Sequence, residues 1–417
     1  MKLNKPANEN YAATIITVRN TIMLPKCDNV IGVPVHGYQA ITSKETQIGD
    51  LYVLFTAETQ LSEQYAHHNN LYRHENLNAD PVSKGYLEDN RRVKALRFRG
   101  NISNALLMPL SSLEFTGANV GDLKEGDTFD ELNGVQICRK YTIPTRGSIG
   151  GGQQQSKKIQ RVDDSQFGRH FDTANYFRNS ELIGAEDLVV VSAKLHGTSV
   201  RIGHVIVRRK LTWKDRVAKF FGATVLESEY DYIYGSRNVI KDPDNPFSVD
   251  SFYPQDIYSH VGQRLKGSIP KGYVIYGEII GWVGTTPIQP GFTYGLPVGE
   301  SKLYVYRVVT VNPSGRATDL TWDQVVGFCQ EIGVDTVPEL YRGSHRMFST
   351  HIDRFIDVRL DEYFLNALPT DGTVDEGVCV RREGYLTPLV LKAKSPKFFE
   401  LETKRLDSGV EDMESQA

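Results

Sequence analysis

The chain has no long apolar run, and its start, with Lys2, Lys5, Asn8 and Asn10, holds no apolar core. Neither a membrane span nor a secretory signal is expected from it. Cysteine is scarce. The 4 present are Cys27, Cys138, Cys329 and Cys379, and no two form a Cys-x-x-Cys pair. That spacing argues against a zinc ribbon and a disulfide framework, and reduced thiols in a cytoplasm suffice. Should a phage encode the chain, the cytoplasm would be its host's. Positive charge is not in excess, with 48 Lys and Arg against 51 Asp and Glu and a net charge of -3. A near-neutral total is no argument for nucleic acid, but it leaves room for a local basic face. Internal repeats are lacking too. What remains is a chain of 417 residues, 40% hydrophobic and 24% charged, ordinary for a folded soluble protein and long enough for two domains.

Four short segments carry candidate chemistry. Leu188 to Ala193 is apolar and β-branched, which predicts a buried strand. Lys194 follows at its end, and Gly197 lets the chain turn. A lysine attacks only after losing its proton, which burial or neighbouring positive charge promotes. Lys392 and Lys394, or a divalent metal, are the expected sources of that charge. An exposed hairpin lysine explains a lone Lys-x-His-Gly better. Gly272 to Gly281 reads as a strand whose alternation puts Val274, Tyr276 and Glu278 on one face. Glu278 suits a ribose hydroxyl or a metal-bound water, and equally a solvated edge. Asp375 to Arg381 reads as a further strand with Glu376 facing inward, a hard oxygen donor suited to Mg²⁺. Pro388 to Ser395 alternates so that Val390, Lys392 and Lys394 share a face, and two lysines on an apolar strand call for an anion such as a triphosphate.

These segments resemble, in the same order, the motifs of the ATP-dependent RNA ligases, a branch of the covalent nucleotidyltransferases. Lys194-Leu195-His196-Gly197-Thr198-Ser199 resembles motif I, Tyr276-Gly277-Glu278 motif III, Glu376 to Arg381 motif IV, and Leu391 to Ser395 motif V. Tyr234 to Asn238 resembles the motif with an essential arginine, here Arg237. Leu303 to Val308 resembles the strand that stacks an aromatic on adenine. Tyr304 and Tyr306 stand at its aromatic positions, with Tyr304 favoured, and Arg307 stands where an acid is usual. His196 in place of the commoner Asp points toward one branch of RNA ligases and away from DNA ligases and capping enzymes. The resemblance spans roughly 187–397.

It implies that Lys194 takes AMP from ATP, passes it to an RNA 5′-phosphate, and releases it as a 3′-hydroxyl attacks. It assigns ATP contacts to Lys194, His196, Gly197, Arg237, Glu278, Tyr304, Tyr306, Glu376, Lys392 and Lys394. The metal, Mg²⁺ or Mn²⁺, falls to Glu376 and Glu278. It implies an α+β fold, an antiparallel-sheet, ATP-grasp-like ligase domain behind a small all-β OB-like barrel. The competing readings are a DNA ligase or capping enzyme, and an RNA-binding protein without catalysis.

The first third reads as short strands and turns. Val33 to Ile41 alternates. Ile48-Gly49-Asp50 turns into Leu51 to Phe55, and Arg92 to Gly100 pairs with Ser103 to Leu110. This arrangement resembles the N-terminal OB domain of Naegleria-type RNA ligases. Arg92, Lys94, Arg97 and Arg99 are candidates to track an RNA backbone, and an exposed charged face explains each as well. Leu61 to Asp89, with His67, His68 and His74, reads as an inserted polar loop. Arg208, Arg209, Lys210, Lys214, Arg216 and Lys219 form a basic stretch for RNA, and the spacing of Trp213, Val217 and Phe220 predicts a helix packed by those side chains. Thr285 to Gly299 and Lys241 to Asp250 read as loops, and Phe167 to Gly184, Trp322 to Ile332 and Met347 to Leu368 as helical.

The expected organisation is an OB-like domain over 1–145, a Gly- and Gln-rich linker over 146–165, a nucleotidyltransferase domain over 166–405 and an acidic disordered tail over 406–417. A cytoplasmic monomer acting on RNA ends, away from membranes, is the expected context.

Overall fold

The computed structural model describes residues 1–143, 161–171, 173–241, 253–352 and 374–410. The expected linker core, the rest of the loop after Lys241, the stretch 353–368 and most of the acidic tail lie outside these. Two compact units form. The first comprises Met1–Thr145, Ala174–Leu182 and Ala393–Glu411, and the second Arg146–Thr173, Ile183–Lys392 and Asp412–Ala417. Among the described residues, no helix is long and apolar enough to cross a membrane.

The first unit is built on a seven-stranded sheet of β1 (Ala13–Thr17), β2 (Ile22–Met23), β3 (Val30–Val35), β4 (Tyr38–Ser43), β5 (Leu51–Thr56), β6 (Ala105–Pro109) and β7 (Thr128–Phe129). The neighbours run β7-β1-β5-β6-β4-β3-β2. This path is open, and among the described residues no pairing closes it into a barrel. The stretch Val33 to Ile41, expected as one strand, is a hairpin. His36 and Gly37 both have positive φ, 50° and 79°, and turn β3 back into β4, the twist a two-residue hairpin requires. One face of the sheet buries Ala13, Ile15, Val53, Phe55 and Phe129, and the other buries Ile16, Val33, Ala40 and Leu54.

Leu61 to Asp89 is not a polar loop. It contains the helix α1 (Glu63–His68), and Tyr65, Ala66, Leu71, Tyr72 and Leu87 enter the core. The Tyr65 hydroxyl meets Ser112 Oγ at 2.7 Å. Apolar residues spaced singly among polar ones concealed this packing. His67 Nδ1 lies 2.8 Å from the Leu77 carbonyl and His68 stacks on Phe115, so each ring has a local structural partner. Of the expected strand Arg92 to Gly100, only Leu96–Phe98 is extended, paired with Asn101–Ser103. Arg92 is buried, with Nη1 3.2 Å from Glu58 and Nη2 against Asp407. Lys94 meets Glu88 at 2.7 Å and Asp407 at 2.8 Å. Both cations therefore serve the interior of this unit. Asp407, expected in the tail, ends the helix Pro396–Asp407, which Ser395 caps and Pro396 opens.

The second unit contains two sheets. One follows the order β11-β10-β9-β12-β13-β14, made of β9 (Thr198–Arg208), β10 (Ser228–Ser236), β11 (Ile240–Lys241), β12 (Tyr273–Val283), β13 (Ser301–Val311) and β14 (Ala317–Asp319). The other pairs β17 (Leu389–Lys394), β16 (Gly377–Arg382), β8 (Leu188–Lys194) and β15 (Glu339–Ser344) in that order. The division between the units falls inside β17, after Lys392. The pairings that hold β8, β9, β10, β12 and β16 together are antiparallel, which makes this an α+β unit. Val205, Val207, Val274, Val309 and Val311 fill a core with Phe167 and Tyr276.

Trp322–Ile332 is helical as expected, with a Thr321/Gln324 capping box and Gly333 at φ 69° ending it. Phe167 to Gly184 is not one helix. Only Tyr176–Asn179 makes an α-turn, with a 3-10 turn over Ser180–Leu182. The helix α2 (Trp213–Phe220) forms where expected, but Trp213, Val217 and Phe220 are exposed rather than packed.

Candidate active site

Lys194 is the last residue of β8, and the register of the strands decides its surroundings. It stands opposite Gly377, the first residue of β16. Glu376 therefore arrives beside it, and Nζ of Lys194 lies 2.8 Å from Oε1 of Glu376. Gly377 has φ 139°, a backbone that residues with a Cβ rarely adopt. The glycine of Glu-Gly-Val thus serves the approach of Glu376. The second carboxylate oxygen of Glu376 lies 3.4 Å from Nδ1 of His196.

The expected activation of Lys194 by neighbouring positive charge is not what the geometry offers first. The nearest charge is the carboxylate of Glu376, and an ion-paired ammonium is not a nucleophile. Attack requires the proton and the carboxylate to be parted.

Gly197 is needed for closeness rather than for an unusual turn. A Cβ there would lie 2.2 Å from the Ile279 carbonyl oxygen. The backbone of motif I runs directly against β12, and Glu278 clamps it. Gly197 N–H donates to Oε1 of Glu278 at 2.9 Å and Ser199 Oγ donates to Oε2 at 3.2 Å. Ser199 and Glu278 are also cross-strand partners. Glu278 is buried, so its charge is compensated by these donors rather than by water.

Thr285 to Gly299, expected as a loop, supplies a layer over motif I that the sequence pattern did not disclose. His196 N–H donates to the Tyr294 hydroxyl at 2.6 Å, Gln289 Nε2 donates to the Gly197 carbonyl at 3.1 Å, and the His196 ring meets Phe292 edge-on at 4.6 Å. Burial drives the Tyr294 phenol well above its ordinary value, so it stays protonated. Thr198 Oγ1 lies 2.8 Å from the Tyr258 hydroxyl. Lys241, at the edge of the other expected loop, is buried on β11 with Nζ 5.1 Å over the Tyr258 ring. The only signal for Gln289, Phe292 and Tyr294 was an aromatic pair inside a Pro- and Gly-rich stretch.

Lys392 lies on β17, the strand next to β16. The Cys379 thiol on β16 is raised by burial, and the charges of Lys194, Glu376, Lys392 and Glu278 all act on it. Lys394 belongs to the first unit, where it pairs with Glu402 at 3.6 Å and lies 5.0 Å over the Phe398 ring. Arg237 follows β10 in the turn before β11. Together with Arg201 and Arg307, and after burial as the main cause, its charge holds His170 well below the ordinary imidazole value.

Tyr304 and Tyr306 part company. Tyr276 pairs with Arg307 and Gly277 with Val305, so Tyr306 is the extra residue of a bulge. Its hydroxyl lies 2.8 Å from His170 Nδ1, and the ring packs on the valine core. Tyr304 stands opposite Glu278 with Lys302 Nζ 5.0 Å over its ring. Arg307, at the position of the usual acid, is paired with Asp319 from β14. Arg97 and Arg99 are bound to Glu400 and to the Lys26 carbonyl. Arg208 pairs with Asp163 at 3.2 Å, and Arg209 with Asp215 at 2.9 Å.

Among the described residues, no three His, Cys, Asp or Glu side chains gather as a metal cage. Glu376 with Glu278 nearby is instead a sparse, hard-oxygen donor set. That suits a cation whose shell is completed by phosphates and water.

The structure thus brings together a lysine at a strand end, a glutamate in contact with it, and a second glutamate clamping its turn. The RNA ligase family matches residues 187–394. No curated protein matches the chain. Among solved structures, Naegleria gruberi RNA ligase with PPi is similar at 18% identity and a TM-score of 0.62, covering 94% of this chain and 99% of that one. A lysine-to-alanine mutant of the same enzyme with ATP and Mn matches at 17% and 0.61, covering 95% and 99%. A glutamate-to-alanine mutant with AMP and Mn matches at 18% and 0.62, covering 94% and 99%. These likenesses carry the fold. The chain thus carries an RNA ligase family domain over those residues.

Proposed function

We propose that this enzyme joins a 3′-hydroxyl and a 5′-phosphate RNA end, in RNA repair, with Lys194 as the residue that carries AMP. The observation that supports it most is the contact of Lys194 Nζ with Glu376 at 2.8 Å beside the Glu278-clamped turn. Lys194 gives up its proton to water and forms a bond to the α-phosphorus of ATP as the bond to the bridging oxygen breaks and pyrophosphate leaves. The AMP then moves to the 5′-phosphate of RNA, and attack by the 3′-hydroxyl forms the phosphodiester and expels AMP.

Glu376 holds the amine before reaction and is also the first candidate metal ligand, with Glu278 second, so engaging Glu376 elsewhere frees the amine. A divalent cation, Mg²⁺ or Mn²⁺, supplies neutralisation of phosphate charge when bound. Arg237, Lys392 and Lys394 are assigned to phosphate and Tyr304 to adenine, with Tyr306 beside it. His196 and Gly197 shape the nucleotide contact, and Glu278 is assigned to a ribose hydroxyl. The first unit is assigned as an OB-like RNA-holding module with Arg97 and Arg99 exposed on it, and Arg208 and Arg209 as further RNA contacts. The enzyme acts as a monomer in the cytoplasm.

The test is incubation with α-labelled ATP and a divalent metal, a denaturing gel and mapping of the label, followed by RNA and DNA nicks. Label on Lys194, absent in Lys194→Ala, with joining of RNA, supports the reading. A labelled adduct in Lys194→Ala refutes the nucleophile.

A further inference from the structure

The helix α2 stands at the turn between β9 and β10 and has no buried residue. Thr212 and Asp215 form a capping box at its start, and Arg209 ties it down through Asp215 at 2.9 Å and the Leu226 carbonyl at 2.7 Å. The helix is therefore held in place, yet its large side chains face water. Trp213 is 71% exposed, Phe220 85% and Phe221 79%, and Leu226 and Val217 are exposed beside them. Eight residues gain little stability from helix propensity alone, and clustered apolar rings left in water mark a surface that something covers.

The charge around these rings identifies what covers them. Residues 208–222 hold six lysines and arginines against the single Asp215, in a chain of net charge -3. Lys214 Nζ lies 6.0 Å over the Trp213 ring. Arg209 is spent on Asp215 and Lys219 on Glu227, while Lys214 and Arg216 are exposed on the helix. A neutral protein groove would use the rings and gain nothing from the cations. A polyanion carrying flat bases uses both, because rings stack on bases while cations meet phosphates.

We propose that α2 and Phe221 form a gripping surface for the RNA strand that leads away from the joining point. This rests on the RNA-joining reading above. β9 connects the two places directly, since Thr198 borders the motif I turn and Arg208 lies at the base of the helix. Ten residue steps of strand span about 33 Å at ~3.3 Å each. At ~3.4 Å per nucleotide of stacked strand, the grip lies about ten nucleotides from the ends being joined. Short RNAs do not reach it.

The test uses full-length protein, the triple variant W213A/F220A/F221A and the charge variant K214E/R216E. Both change exposed side chains, and a thermal melt checks that each folds. Should the triple variant melt early, W213A alone carries the test. All are expected to take AMP from labelled ATP as the wild type does. Binding of a 5′-phosphorylated RNA of roughly 24 nucleotides should weaken at least about tenfold in the triple variant, while an RNA of about 6 nucleotides binds nearly unchanged. The charge variant should flatten the salt dependence of binding to the longer RNA. Trp213 emission should change on adding that RNA, and the change should be lost in W213F.

Equal binding of the long RNA by wild type and triple variant overturns the proposal. So does tight binding of phosphatidylserine vesicles with RNA binding unaffected, or a concentration-dependent dimer that the triple variant loses. If the wild type takes AMP but neither binds nor joins RNA, the joining reading falls and this surface with it. If the wild type joins RNA and both variants do so equally at both lengths, this inference alone falls.

Discussion

Replacing Glu278 by glutamine separates two jobs the residue could have, holding the motif I turn and supplying negative charge. Its two oxygens accept from Gly197 N–H at 2.9 Å and from Ser199 Oγ at 3.2 Å, and the side chain is buried. Glutamine keeps a carbonyl for Gly197, and the Ser199 hydroxyl can turn to accept from the new amide. The loss is that of charge assistance in two hydrogen bonds, about 1 kcal/mol. Alanine leaves a buried N–H and a buried hydroxyl without their acceptor, on the order of 3 kcal/mol together. In a unit of this size about 1 kcal/mol moves the melting temperature by roughly 2–4 °C. Glu278→Gln should therefore melt about 2–4 °C below wild type and Glu278→Ala roughly 6–12 °C below. Transfer of AMP from labelled ATP, measured at saturating ATP and metal, should follow the same order, with the glutamine variant keeping much of it. A glutamine variant that melts like wild type yet transfers as little AMP as the alanine variant would refute this reasoning. The charge itself would then be what the site needs.

Glu376→Ala should sharply reduce lysyl-AMP formation and weaken its metal dependence, read by titrating Mn²⁺ in the labelling assay. Chelation should stop labelling without lowering the melting temperature, because no all-protein metal cage exists among the described residues. Tyr294→Phe removes the acceptor of the buried His196 N–H and should cost about 1–3 kcal/mol of stability, visible as an earlier thermal transition and slower labelling. In the first unit, burial carries the Glu58 carboxyl up to about 7 even with Arg92 at 3.2 Å. Unfolded, it releases its proton near 4.5. Between those values the folded state holds more protons, so its stabilisation is complete below about pH 4.5 and is lost as the pH rises through about 7. Urea melts across that window should show the decline, and Glu58→Gln should flatten it.

Local patterns disclosed the parts of the site whose chemistry depends on residue type at short spacing. β8 announced itself by its valines, and Lys194 by ending it. Gly197 and Gly377 were visible as glycines, but their reasons were not. One is required by the nearness of the Ile279 carbonyl and the other by a φ of 139°. The layer of Gln289, Phe292 and Tyr294 was misread as a loop because irregular backbone has no periodicity to reveal burial. The aromatics of α2 were misread in the opposite direction. Helical spacing of Trp213, Val217 and Phe220 signals an apolar face, but it cannot say whether anything in the same chain covers it.

The sequence by itself presented Lys194, Glu278 and Glu376 as candidates, and their order and the antiparallel sheets came from the resemblance to RNA ligases. Periods of two and 3.6 along the chain disclosed only a mixture of strand and helix. Only the tertiary structure decided which charge Lys194 meets. Residues 194 and 376 are far apart in sequence, and a one-residue slip in the pairing of β8 with β16 would carry Glu376 away from it. The structure also decided that Arg92 is buried among carboxylates while Trp213 is left in water. Burial is a property of what packs alongside, and no single segment carries that information.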